Sequence, residues 1–386
     1  MYKPLITVLM WGLLIATTQV NAQARGESKT DSLYSNILSE QRELLIQLPN
    51  SYKLNKSQSY PVLYLLDGTR NFNHAVGTLD LLNQSYMAQE MIIVAIKNTD
   101  RTRDFTPTYN ESYNRWGISG GAEKFLDFME KELIPYVNKT HRTNGLKILS
   151  GHSFGGLLSV YAFQSRPGLF QAHFAFSPSL WWHDEVLFDT AKNVLTNTKD
   201  LNNYLYINMG TEGGMMLSAF EKYQQLLAEH APKGLRYKTE LVEDENHNTT
   251  AMVGHNPAYR DLFAMFQCPE DIQKQGLEAI QTFYKALSKD LGYEVKPPYS
   301  VIKDAGHYAL NDKNVDKAIN LFQHNIDTFP HIADAYFRIA FALEQNAQLE
   351  KALIMVDKAI ALSKVENVEQ NAFEYYRTYL KQEIAK

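Results

Sequence analysis

The stretch Leu146-Lys147-Ile148-Leu149-Ser150-Gly151-His152-Ser153-Phe154-Gly155-Gly156-Leu157-Leu158-Ser159-Val160-Tyr161-Ala162-Phe163 decides how this chain is read. Residues 146–149 are mostly apolar and read as a short buried strand. Gly151-His152-Ser153-Phe154-Gly155 is a G-x-S-x-G sequence, and the apolar, breaker-free run 157–163 reads as a helix. Strand, tight turn and helix in that order are what a nucleophile elbow requires. A serine at so sharp a tip holds a strained backbone, and side chains at Gly151 and Gly155 would collide with the adjoining strand and helix. The product is an exposed hydroxyl at a helix start, where backbone N–H groups face a developing oxyanion.

The chain has 386 residues, 45% of them hydrophobic, which is more than one ordinary domain needs. Net charge is −5 with no basic stripe, so nucleic acid is not an expected partner. The first 22 residues read as a signal peptide: Lys3 is the positive start, 5–17 the apolar core, and Val20-Asn21-Ala22 the cleavage site before a mature Gln23. The apolar run is shorter than the roughly 20 residues that span a bilayer, so no stable membrane anchor is expected. Cys268 is the only cysteine, which excludes an intramolecular disulfide and a lipidated cleavage-site cysteine. A periplasmic or secreted bacterial protein is the expectation.

The polar stretch 23–31 reads as loose. Strands are expected at 43–48, 61–66, 91–96, 172–176, 204–209 and 237–242, several of them continuously apolar as in buried parallel sheets. Helices are expected at 74–87, 122–137 and 220–229, with a turn at 67–71. Strands alternating with helices imply an α/β fold with a largely parallel sheet covered on both faces. The pattern changes after Cys268-Pro269. Residues 23–268 are therefore expected to form one domain, and 269–386 a helical extension. Ala318 and Ala352, Lys317 and Lys351, Phe322 and Val356, and Ile326 and Ile360 recur at one spacing, that of a tetratricopeptide-like helix pair.

A serine hydroxyl is a poor nucleophile until a base takes its proton. Around an elbow of this kind the acid and the histidine follow the serine in chain order, each after a later strand. His247, after the last expected strand, is the base this predicts, and His255 is the alternative further on. Glu212, after the strand before it, is the acid that would orient the imidazole; Asp244, or a dyad without a strong acid, is the alternative. The oxyanion donors are expected to be the backbone N–H groups of Phe154 and of Thr69 in Asp67-Gly68-Thr69. Arg101 and Arg103 either hold an anionic or polyhydroxylated substrate or fix their own loop through an Arg–Asp pair. Trp181 and Trp182 either wall an acyl or aromatic pocket or belong to the core. No H-x-x-x-H pair, cysteine cluster or dense carboxylate loop supports a metal, and no G-x-G-x-x-G or Walker sequence follows a strand.

Further stretches carry a resemblance. They are Tyr60-Pro-Val-Leu-Tyr-Leu-Leu-Asp-Gly68, Arg101-Thr-Arg-Asp-Phe-Thr-Pro107, Gly120-Gly-Ala-Glu-Lys-Phe125, Glu132-Leu-Ile-Pro-Tyr136 and Ser177-Pro-Ser-Leu-Trp-Trp182. Together with the elbow they resemble the putative-esterase family of α/β-hydrolases, which includes enterochelin and salmochelin esterases, esterase D and the mycolyltransferases. The resemblance covers about residues 35–266. It implies an α/β-hydrolase fold and a cofactor-free serine hydrolase of carboxylic esters, with the family pattern falling on Ser153, His247, Glu212 and Thr69. The substrate class this suggests is a small-molecule or glycan ester, such as a siderophore ester or an acylated or feruloylated glycan. An acyltransferase on the same residues is the second reading. A scaffold protein that binds a partner through its C-terminal helices is the third.

Overall fold

The apolar runs become the middle of one sheet. In the computed structural model the described residues are 26–198, 201–366 and 370–386; the expected signal peptide and Gln23 lie outside them. The strands are β1 (Glu27–Ser35), β2 (Glu40–Leu48), β3 (Tyr60–Leu65), β4 (Ile92–Ile96), β5 (Thr143–His152), β6 (Ala172–Phe176), β7 (Tyr204–Met209) and β8 (Arg236–Leu241). Their order across the sheet is β1-β2-β4-β3-β5-β6-β7-β8. β1 and β2 run antiparallel and the other strands are parallel.

Between the strands lie α1 (Gly68–Gln84), α2 (Arg101–Phe105), α3 (Ala122–Phe128), α4 (Ile134–Thr140), α5 (Phe154–Ser165), α6 (Trp182–Glu185), α7 (Leu187–Asn197) and α8 (Gly214–His230). After β8 come α9 (Thr250–Ala264), α10 (Glu270–Gln275), α11 (Leu277–Leu291), α12 (Tyr299–Asn311), α13 (Val315–Thr328), α14 (Ala333–Gln345), α15 (Leu349–Glu366) and α16 (Asn371–Ile384). This is the expected α/β architecture followed by an all-helical region. Alternate residues of β3 show the two-sided burial: Leu63 and Leu65 join one core, Val62 and Tyr64 the other.

Three elements differ from the sequence reading. The described part of the stretch read as loose, 26–31, belongs almost wholly to β1, a polar edge strand with no apolar periodicity to reveal it; it is held by its pairing with β2. α1 starts at Gly68, inside the expected turn: Asp67 before it is left-handed (φ 53°), and its carbonyl accepts from the Arg70 and Asn71 N–H groups while its carboxylate is held by Arg101 and Asn98. A Cβ on Gly68 would stand 2.8 Å from the Ile96 carbonyl oxygen, so the helix start is wedged against the end of β4. The helix expected over 122–137 contains a π-helical turn, Met129–Leu133, just before Pro135, which has no N–H to donate to the turn behind it.

The helical extension shares its core with one face of the sheet. Phe263, Phe266 and Cys268 continue into Ile280, Tyr284 and Tyr299 without a break. Within the extension, Ala318 and Ala352, and Phe322 and Val356, are fully buried. Gly306 lets α12 lie against α13: a Cβ there would meet the Phe322 ring at 2.3 Å. Lys313 and Ala347, 34 positions apart, both take the left-handed conformation (φ 57° and 54°) just after α12 and α14. Each is followed by an N–H that reaches back to the helix, Asn314 to the Ala309 carbonyl (2.8 Å) and Gln348 to the Leu343 carbonyl (2.9 Å).

Candidate active site

Parallel strands expose their carboxyl ends on one edge of a sheet, and loops leaving that edge carry most α/β chemistry. Pairing puts His152 opposite Phe176 and Phe176 opposite Asn208, so Ser153 and Ser177 leave the sheet side by side. Ser153 has φ 60° and ψ −116°, a conformation that costs on the order of 1–3 kcal/mol for a non-glycine residue. Its surroundings leave it no alternative. A Cβ on Gly151 would lie 2.2 Å from the Gly155 carbonyl oxygen, and one on Gly156 3.0 Å from the Pro178 backbone. The Ser153 N–H donates to the Phe176 carbonyl (2.9 Å), and its own carbonyl accepts from Leu157 in the first turn of α5.

His247, on the loop between β8 and α9, brings Nε2 to 3.0 Å from the Ser153 hydroxyl. Its Nδ1 lies 3.0 Å from Glu212 Oε2. An ionised carboxylate only accepts, so Nδ1 carries the proton and Nε2 is left free to accept from Ser153. The His247 side chain is 36% exposed and that of Glu212 7%. Burial would raise the Glu212 carboxyl, but hydrogen bonds from His247 and Ser177 outweigh it and hold the group below its ordinary range. Close backbone approach makes this possible: a Cβ on Gly210 would stand 2.5 Å from the Glu245 carbonyl oxygen.

A second histidine stands beside the first. His152 is buried, its ring centroid 4.6 Å from that of His247, and its Nε2–H donates to the His247 carbonyl. Burial, and then the neighbouring His247, push its pKa down to about 4, so it stays a neutral donor that ties the His247 loop to the end of β5. Sequence reading passed over it; its place at the variable position of the elbow was the available signal. His255, the alternative base, is fully buried on α9. Its Nε2 meets the Ser150 hydroxyl (3.1 Å), its Nδ1 the Ala251 carbonyl (2.7 Å), and burial pushes its pKa to about 3. Asp244 is exposed.

Phe154 and Thr69 open α5 and α1, where first-turn N–H groups have no intrahelical acceptor. The α1 end is held near His247 by Arg70, which donates to the Asn248 carbonyl (3.2 Å) and side chain (2.9 Å). Arg101 is engaged internally. It pairs with Asp67 (2.6 and 3.0 Å) and donates to the His152 carbonyl (3.0 Å). Arg103 pairs with Glu40 (2.7 Å) and Asp104 (2.8 Å). Trp182 is fully buried and donates to the Thr108 hydroxyl (3.1 Å). Trp181 is half-buried and lies 5.9 Å from Trp116, a residue the sequence reading did not single out. Trp116 is 42% exposed, stacks on Tyr113 and carries the Arg115 guanidinium 4.2 Å above its ring. With Phe154, 6.2 Å away, it forms an aromatic wall beside the nucleophile position.

The family model described as putative esterase matches residues 35–259, more than half of the chain. The chain belongs to this family. A solved relative, an IroE-like serine hydrolase from Shewanella oneidensis, superposes with a TM-score of 0.68 at 31% identity, covering 77% of this chain and 99% of that one. Over 149 residues the chain is 35% identical to a siderophore triacetylfusarinine C esterase of Aspergillus fumigatus, covering 36% of this chain and 51% of that protein. Over 166 residues it is 29% identical to the ferri-bacillibactin esterase BesA of Bacillus subtilis, covering 38% and 57%. The chain thus spans about half the length of the curated relatives it matches. An uncharacterised protein from Capnocytophaga ochracea shares the fold over 92% of this esterase-family chain, with a TM-score of 0.62 at 16% identity.

Proposed function

We propose that the protein is a serine carboxylic-ester hydrolase that works through an acyl-enzyme. The observation that carries the reading is the pair of 3.0 Å contacts, Ser153 Oγ to His247 Nε2 and His247 Nδ1 to Glu212 Oε2. In this reading the Ser153 proton passes to His247 Nε2 as Oγ bonds to the ester carbonyl carbon. Glu212 holds the imidazole in register and stabilises its charged form. The N–H groups of Phe154 and Thr69 receive the tetrahedral oxyanion. Collapse breaks the bond to the alcohol, which leaves with the proton from His247. Water then attacks the acyl-Ser153 with His247 again as base, and the carboxylic acid departs. Support for a siderophore ester as substrate comes from the esterases named above. Support for a bulky acyl group comes from Trp116 and Trp181 beside Phe154. Residues 1–22 are proposed to direct export, which would put the enzyme in the periplasm or outside the cell.

The test is hydrolysis of short-chain p-nitrophenyl esters and a panel of siderophore and acylated-glycan esters. Ser153→Ala is expected to lower kcat/KM by about 10⁴-fold or more while leaving the fold intact. Equal rates for the two proteins would reject the reading.

A further inference from the structure

Ser177 is the first residue after β6 and is fully buried. Its backbone takes φ 40°, the left-handed region that favours glycine. Its N–H still completes the ladder to the Asn208 carbonyl (2.9 Å), so strand pairing is satisfied. The bend turns the side chain toward the site. The Ser177 hydroxyl donates to Glu212 Oε1, the oxygen that His247 leaves free. Thr250, at the start of α9, places its Oγ1 2.9 Å from Ser177 Oγ. A hydroxyl has one proton, and that of Ser177 is committed to the carboxylate, so Thr250 donates to Ser177. Thr250 Oγ1 also lies 3.5 Å from the His247 carbonyl, but the shorter contact is to Ser177. The chain then runs from Thr250 to Ser177 to Glu212 Oε1 on one side and from His247 Nδ1 to Glu212 Oε2 on the other. Thr250 is itself anchored, since its carbonyl accepts from the buried Asn208 amide (3.0 Å).

We infer that Ser177 is a positioning residue for ester hydrolysis. Its hydroxyl pins Glu212 Oε1 so that Oε2 stays on His247 and His247 Nε2 stays on Ser153. With His247 on one oxygen and Ser177 on the other, from different elements, the carboxylate cannot swivel about its Cγ–Cδ bond without breaking a hydrogen bond; without Ser177, only His247 and the nearby Gly210 N–H hold it. The inference rests on the esterase reading for its kinetic consequence, but the pinning itself is a property of the folded chain.

The experiment uses Ser177→Gly in the full chain. Glycine is at ease at φ 40°, so the bend is kept and only the hydroxymethyl group is lost; Ser177→Ala, which keeps Cβ, is the second variant. With p-nitrophenyl acetate, kcat is expected to fall on the order of tenfold or more at unchanged KM, with the variant still folded and melting cooperatively. In a Glu212→Gln background the same change should cost nothing further, because Ser177 acts through Glu212. A second readout does not need turnover. It is the ¹³C carboxyl resonance of Glu212, assigned by its loss in Glu212→Gln, whose titration midpoint should rise in Ser177→Gly. The other groups facing that carboxylate, His247 and the Gly210 N–H, with His152 behind His247, are the same in both proteins. Unchanged kcat, an equal loss in the Glu212→Gln background, or a change in KM alone would overturn the inference. If the wild type hydrolyses no ester, the functional reading fails by itself, and an unmoved Glu212 midpoint still decides against the pinning.

Discussion

Glu212 and Glu90 sit at opposite edges of the sheet, and their surroundings send them in opposite directions. Glu212 stands over the carboxyl ends of the strands, and an imidazole and a hydroxyl hold it below its ordinary range despite burial. Glu90 precedes β4 at the amino edge. Burial dominates there and pushes it upward, although the Ser51 N–H (3.0 Å) and hydroxyl both donate to it. At Glu90 neutral donors do not offset desolvation, while at Glu212 the donors, one of them an imidazole that can carry positive charge, do. The amino edge borders a cavity of about 1230 Å³ between the sheet and the helical extension, lined by Tyr52, Tyr86, Glu90, Tyr293 and Tyr299 among others. Ser153, His247 and Glu212 do not line it.

Three measurements press on this contrast. The largest effect is expected from Glu212→Gln. It should lower kcat by on the order of 10³–10⁴-fold, since an amide can favour the wrong imidazole tautomer; steady-state kinetics on a p-nitrophenyl ester check it. A loss below tenfold would mean that Ser153 and His247 act as a dyad. Next, Tyr299→Ala at the amino edge removes a buried ring packed on Tyr86 and Phe329, each 5.9 Å away, and a hydroxyl that donates to Asp334 (2.7 Å). Denaturant unfolding should show a loss of about 3–5 kcal/mol, with kcat/KM of the folded protein unchanged. A fall in kcat/KM would tie the cavity to the chemistry.

The smallest effect is one of sign. A carboxyl depressed in the folded state adds stability above its unfolded pKa and loses it as pH falls, whereas a raised one loses stability as pH rises. Thermal melts of the wild type, Glu212→Gln and Glu90→Gln across pH 3–7 are the check. The wild-type margin over Glu212→Gln should shrink as pH drops below 4.5, and its margin over Glu90→Gln should shrink as pH climbs above 4.5. Parallel curves would erase the contrast.

Much of the fold was legible because buried parallel strands write themselves as apolar runs. β3, β4, β6 and β7 fall within a residue of their expected positions. β1 was not legible, since an edge strand with water on its exposed positions needs no apolar periodicity. Nor was the start of α1, because Asp67-Gly68 has the composition of a turn and becomes a helix cap only when packed against Ile96. At the candidate site, the meeting of Ser153, Glu212 and His247 could be read from their order along the chain, since each lies on the loop that leaves a successive strand, β5, β7 and β8. Ser177 and His152 could not. Each lies within a quoted motif but at a position the motif does not assign, and its part lies in the direction of one hydrogen bond, which spacing does not encode. Trp116 ends a short 3-10 turn, Glu111–Trp116, too brief for a period to mark it.

The apolar seam running from Phe263 through Cys268 to Ile280 and Tyr299 bears on how such a chain can be inherited. The helices after residue 268 are not a cassette. A gene shortened there would encode a body with an oily flank, prone to stick to its own kind.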